Sequence, residues 1–109
     1  TYVDYVISPS YDMHKDMGIL RTTITGQRLE EDMPFARFFS GRILWDEGMA
    51  SKAHAWTKAN PGGLMVGLVG ADHVKFQDGI VGRYARMAKG ERDNISVILN
   101  PTLIDTRPS

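Results

Sequence analysis

The sequence predicts an α/β fold, a partial parallel sheet with flanking helices. Three observations carry that expectation. Leu64–Val69 is a near-continuous apolar run of six residues, the pattern of a strand buried on both faces. Asn94-Ile95-Ser96-Val97-Ile98-Leu99 is a second such run, stopped by Asn100-Pro101. Between them, Ile80 to Lys89 reads as a helix closed by Gly90. Strand, helix, strand is a crossover unit, right-handed and with its two strands parallel. Two parallel strands do not make a self-sufficient sheet. The remainder comes from the N-terminal third, from another chain, or from sequence outside these 109 residues.

The elements before this unit are less uniform. Tyr2, Tyr5 and Val6 recur at helical spacing, and Pro9 interrupts a helix begun there. A second helical stretch starts at Ser10 as N-cap and runs through Tyr11, Met13, His14 and Met17 to Gly18. Leu20–Thr25 is partly β-branched and ends at Gly26, so it reads either as a short strand or as an ordered loop. Gln27–Asp32 is a polar connector. The clearest helix spans Pro34 to Asn60, with Pro34 in the first turn and Asn60-Pro61-Gly62-Gly63 ending it. Phe35, Phe38 and Phe39 open an apolar stripe that continues through Trp45, Met49, Ala53 and Trp56. Glu47, Ser51, His54 and Lys58 share the polar face. Gly41 and Gly48 inside the helix point to a kink, or to close approach of a neighbouring backbone or flat ligand. Two segments result, 1–33 helical or irregular and 34–109 carrying the crossover.

Composition narrows the function. Apolar residues make up 42% and charged residues 24%, as in an ordinary globular domain. Thirteen basic residues balance thirteen acidic ones, which disfavours nucleic-acid binding by a diffuse positive field. No apolar run reaches the 18 or so residues that span a bilayer, so any membrane association is peripheral. Thr1-Tyr2-Val3-Asp4 lacks the features of an intact secretory signal, and a start at Thr suggests processing or excision. With no cysteine, disulfides, thiolate zinc sites and cysteine nucleophiles are excluded. Gly-rich phosphate loops and the G-x-S-x-G elbow are also missing.

His73 is the first candidate for chemistry. It stands in Gly70-Ala71-Asp72-His73, at the carboxyl end of the first apolar run, where open α/β sheets place their ligand crevice. Gly70 permits a tight turn there, and an imidazole at such a rim suits metal or haem ligation or acid–base work. A histidine that braces the loop by a hydrogen bond is the plain alternative. Asp46 and Glu47 would face His73 if the long helix packs on that edge, and one His with two carboxylates is a divalent-metal set by type. Otherwise Arg42 and Asp46 pair along the helix and Glu47 is solvated. Tyr11 and His14, three apart, would reach one ligand or serve only to pack. Phe38, Phe39, Trp45, Met49 and Trp56 are a helix core that would also suit the faces of a flat tetrapyrrole. Lys75, Arg83, Arg86 and Lys89 surround the crossover helix, as propionate or phosphate partners or as ordinary surface cations.

Two stretches carry a resemblance. Arg42-Ile43-Leu44-Trp45-Asp46-Glu47-Gly48-Met49-Ala50, followed by Leu64 to His73, resembles the C-terminal half of the ChaN-like haem-binding uptake family, grouped with erythromycin esterases and Tiki metalloproteases. The turn Pro61-Gly62-Gly63 and the segment Asp78-Gly79-Ile80-Val81-Gly82-Arg83 fit the same pattern, which covers residues 35–100. In style it is similar to plant and algal members, which implies a chloroplast protein. The resemblance implies an α/β fold and haem or another tetrapyrrole as cofactor. It makes His73 the family's motif histidine, the metal ligand, and places Asp46, Glu47, Gly70 and Trp45 at the cofactor. The family's other motif, in its first half, has no match in residues 1–33, which removes support for a complete hydrolase site. The expectation is a tetrapyrrole module, a carrier or a subunit working with a protein partner or a second copy. A non-catalytic structural subunit of a larger, photosynthetic complex is the alternative, and a metal-dependent hydrolase completed by other sequence is the third.

Overall fold

The structure is a computed structural model that describes residues 2–106. Thr1 and residues 107–109, the outer ends of the two expected segments, lie outside the described residues. The chain divides into two compact units, Thr1–Arg42 and Ile43–Pro108.

In the first unit, a π-helical turn, Val3–Ile7, runs directly into α1, Ser8–Asp16. The helix therefore passes through Pro9 rather than stopping there. Proline removes one N–H and crowds the carbonyl four residues back, and the wider π turn ahead of it gives that ring room. Gly18, with φ of 71°, takes the left-handed position after the helix, as expected of a C-terminal glycine. Leu20–Thr25 settles as an ordered loop. Its turn is held by the Thr23 N–H on the Gln27 carbonyl (2.8 Å) and the Leu29 N–H on the Arg21 carbonyl (2.8 Å). Thr22 and Arg28 form a single antiparallel bridge. Val6, Ile7, Ser10 and Leu20 are buried. Tyr11 packs edge-on against Phe35 and Phe38, and His14 against Phe38.

The long helix, α2, is Phe35–Ala59, within a residue of its expected ends. In the second unit its buried residues are Asp46, Ala50 and Thr57, with Ala53 packed between. That face is rotated one residue from the expected stripe of Trp45, Met49, Ala53 and Trp56. The reason lies in what packs there. Helix α3, Ile80–Ala88, lays Tyr84 and Ala88 on Ala50 and Ala53, and the Tyr84 hydroxyl reaches Thr57 on the same face of α2. Both indoles stay substantially exposed. A methyl group at Gly41 or Gly48 would meet nothing within 4 Å, so neither glycine makes room for a neighbouring backbone within the chain. Helix α3 ends as expected, with Lys89 and Gly90 both left-handed (φ 49° and 77°).

The expected parallel sheet is not present, and the α/β assignment is overturned. Among the described residues there is no strand: 64–70 and 94–98 carry no regular secondary structure. The order observed is helices joined by irregular segments, with a 3₁₀ turn at Ala71–His73 and a short α4, Leu103–Thr106. Strands exist only where neighbours satisfy their N–H and C=O groups, and two parallel runs alone are marginal. Arg92 brings the starts of both runs together, donating to the Gly63 and Asn60 carbonyls at 3.0 Å each. Beyond that clamp no backbone hydrogen bond joins the two runs among the described residues. Leu64, Leu68 and Ile95 are 86%, 93% and 89% exposed, so the apolar pattern expected to fill a sheet interior faces outward.

Two outcomes follow. Amides 64–69 and 95–99 will exchange with solvent far faster than those of 46–57 and 81–88 in a hydrogen-exchange experiment; equal protection would contradict this architecture. Gly82→Ala will lower the chemical denaturation midpoint, at a cost of about 1–3 kcal/mol, because its Cβ would strike the Gln77 carbonyl.

Candidate functional site

The second unit builds one concentrated polar site, on α2 and the segment from Gly70 to Arg83. Asp46 is fully buried on α2. A carboxylate without solvent must be compensated by hydrogen bonds or opposite charge. Its Oδ1 lies 2.5 Å from Nδ1 of His73, whose side chain is 20% exposed. A carboxylate only accepts, so Nδ1 is the donor. The histidine is delivered by the 3₁₀ turn, in which the His73 N–H bonds the Gly70 carbonyl at 3.0 Å. Gly70 itself lies against the imidazole, its Cβ position 3.7 Å from Cδ2.

Glycine recurs at the back of the pair. A Cβ at Gly79 would collide with the His73 carbonyl and sit 3.6 Å from Oδ2 of Asp46. The chain therefore folds over the pair with backbone alone. The motif Asp78–Arg83 contains Gly79, whose packing role only the tertiary structure shows.

Glu47 does not join Asp46 and His73. It forms an ion pair with Arg83, Oε2 to Nη1 2.6 Å, which ties α2 to α3. The set of one His and two carboxylates is thus not assembled, and among the described residues no three His, Asp or Glu side chains group as metal ligands. Trp45 is 51% exposed beside Asp46 in the chain, an open indole and not a buried wall. His54 is half-buried with its ring edge toward Tyr84, centroids 6.2 Å apart. Thr57 donates to the His54 carbonyl (3.1 Å), which leaves the Tyr84 hydroxyl to donate to Thr57 (2.9 Å).

Tyr11 and His14 have structural partners in the first unit: the Tyr11 hydroxyl donates to the Met33 carbonyl (2.8 Å), and His14 Nδ1 to the Ser10 carbonyl (2.7 Å). Lys75, expected among surface cations, is only 3% exposed. It bridges Asp72 (2.7 Å) and Asp105 (3.1 Å), so α4 is fastened two residues from His73. Arg86 and Lys89 remain exposed. Burial alone pulls the Lys75 ammonium down, but the hydrogen bonds and charges of Asp72 and Asp105 outweigh it and hold the pKa above 10.5. Asp105 is held below 3.8, first by the Thr102 N–H and hydroxyl and then by Lys75.

A family model described as haem-binding uptake, Tiki superfamily, ChaN matches residues 7–83. The match takes in α1 and the loop after it, beyond the motifs that carry the resemblance, and it includes Asp46, Gly70, His73, Gly79 and Arg83. Neither the curated proteins nor the solved structures contain a match.

The Asp105 contacts set a pH window. A depressed carboxyl contributes stability that is present above its ordinary value and lost as pH falls through the folded one. A raised lysine contributes below its ordinary value and is lost as pH rises through the folded one. The 102–105 turn will therefore stay fastened between pH 3.8 and 10.5. The carboxyl carbon shift of Asp105 will titrate below 3.8; a midpoint above that value contradicts the assignment.

Proposed function

The chain belongs to the haem-binding uptake family of the Tiki superfamily, ChaN, and on that premise we propose that it is a tetrapyrrole-binding module, a carrier or a subunit of a larger assembly. The observation that carries the reading is the Asp46–His73 pair. Its carboxylate occupies Nδ1 and presents Nε2 as the ring's one remaining ligand atom.

The donor set fits a macrocycle. A metal held only by protein needs several converging side chains. Iron in a tetrapyrrole already has four ring nitrogens and takes from the protein one or two axial ligands. One histidine, partly exposed and held from behind by a buried carboxylate, is that kind of donor. When bound, the group would supply the ligand-exchange and electron-transfer chemistry of haem iron.

The chain's own residues have separate tasks in this reading. His73 is the metal ligand. Asp46 selects the tautomer with hydrogen on Nδ1 and fixes the ring's plane. Gly70 and Gly79 let the backbone lie close to the pair. The Glu47–Arg83 bridge holds α2 and α3 together beside it, and Trp45 offers an exposed flat apolar surface to a tetrapyrrole.

A haem titration followed in the Soret region tests this. The chain will give a saturable shift at one ligand per chain or per dimer. His73→Ala will weaken binding at least about tenfold and change the band. A folded chain that gives no shift, or a variant that binds with unchanged affinity and spectrum, would sink the assignment.

A further inference from the structure

We propose that the outward face of α2 in the second unit pairs with the same face of a second copy of the chain, antiparallel about a two-fold axis at the level of Ala50. This surface lies outside the tetrapyrrole reading and does not depend on it.

Burial defines the face. Asp46, Ala50 and Thr57 are the buried residues of α2. On its other side Leu44, Trp45, Gly48, Lys52, Ala55 and Trp56 are exposed. Leu44 is 74% exposed, Trp45 51% and Trp56 40%. Trp45, Gly48, Lys52 and Ala55 follow one another at steps of three, four and three residues, the spacing of a seam along which two helices pack. Leu44 and Trp56 flank that seam. Tryptophan and leucine grouped in the open on one helix face mark an interaction surface.

The order of large and small residues selects the partner. In an antiparallel pair, residues equidistant from the axis on either side meet. With the axis at Ala50, Trp45 lies on Ala55 of the second copy, Leu44 meets its Trp56, and Lys52 crosses its Gly48. Each bulky seam residue therefore finds a small one, and two-fold symmetry makes every contact twice. Gly48 is an open notch: a Cβ there would meet nothing within 4 Å, so nothing in the chain fills it. The methylene stem of Lys52 has room along that notch while its ammonium stays in water. Lys52 is the one charge among these six residues, and the formal net charge of the chain is zero, so no strong repulsion keeps two copies apart. The six residues offer on the order of 500 Å² per chain, and two copies together reach about 1,000 Å², the size at which a specific interface of modest affinity begins.

Sedimentation equilibrium of the ligand-free chain tests this, free of ligand because Trp45 is also the indole read above as a tetrapyrrole surface. The chain will pass from monomer to dimer in the micromolar range. The emission of its two tryptophans will shift to the blue over the same range. Gly48→Arg fills the notch and sets a guanidinium against Lys52 of the second copy, which will weaken the dimer at least about tenfold. Helix content will be retained, because arginine is the better helix former and has open space there. Leu68→Lys, in the exposed apolar run, will leave the dimer unchanged. The chain has no cysteine, so introduced ones report the register. On oxidation, an equal mixture of Gly48→Cys and Lys52→Cys chains will crosslink mainly unlike chains.

A monomer at every concentration would overturn the inference. So would a dimer that survives Gly48→Arg; if Leu68→Lys disperses it instead, the copies meet through the apolar run and not through α2. Crosslinks formed mainly between like chains would overturn the antiparallel register.

Discussion

Asp46 sits on α2 with no exposed surface, and much of the second unit is arranged around the need to compensate that carboxylate. An isolated ionised carboxylate in an apolar interior costs many kcal/mol, so the fold must bring it donors. His73 is one of them, and it arrives from 27 residues away in the chain. Bringing it there commits the path from Gly70 to Gly79. The 3₁₀ turn aims the ring, and Gly79 takes the chain back across the pair with no side chain in the way. Removing the carboxylate would therefore alter a loop and a ring orientation, not a single contact.

The hydrophobic support for this arrangement is small. Ala50, Tyr84 and Ala88 form the core of the second unit, with Ala53, Ile80 and Met87 against it. Such a cluster buries few large side chains, each worth about 1.5–3 kcal/mol when fully enclosed. Polar ties do the rest of the positioning. Glu47–Arg83 and Thr57–Tyr84 join α2 to α3, Arg92 closes the turn after α2, and Lys75 holds α4. Each tie is partly shielded from solvent, which makes it stronger and its loss more costly than an exposed pair.

This arrangement bears on the functional reading. A tetrapyrrole asks little of a protein in ligand number and much in ligand orientation. The second unit supplies one imidazole whose tautomer and plane are set by a buried acid. The apolar runs at 64–69 and 95–99 are a separate feature. They have the composition of strand interiors and the exposure of surface segments.

Local residue pattern determined α2 and α3 nearly to the residue, because Pro34, the Asn60–Gly63 turn and Gly90 are short-range stops that act within one helical turn. It also singled out His73 and Asp46, since a histidine beside glycine and an acid in a helix are conspicuous by type. Which face of α2 is buried was decided only in three dimensions. Tyr84 and Ala88 of α3 pack on Ala50 and Ala53, and Tyr84 bonds Thr57, so this face is enclosed while the indoles of Trp45 and Trp56 stay exposed. The partner of Glu47 was decided there too, because Arg83 lies 36 residues away and spacing along one helix says nothing of it. The parallel sheet failed for the same physical reason. A continuous apolar run describes what a segment would do between neighbouring strands and helices, and whether those neighbours exist is a property of the assembled chain.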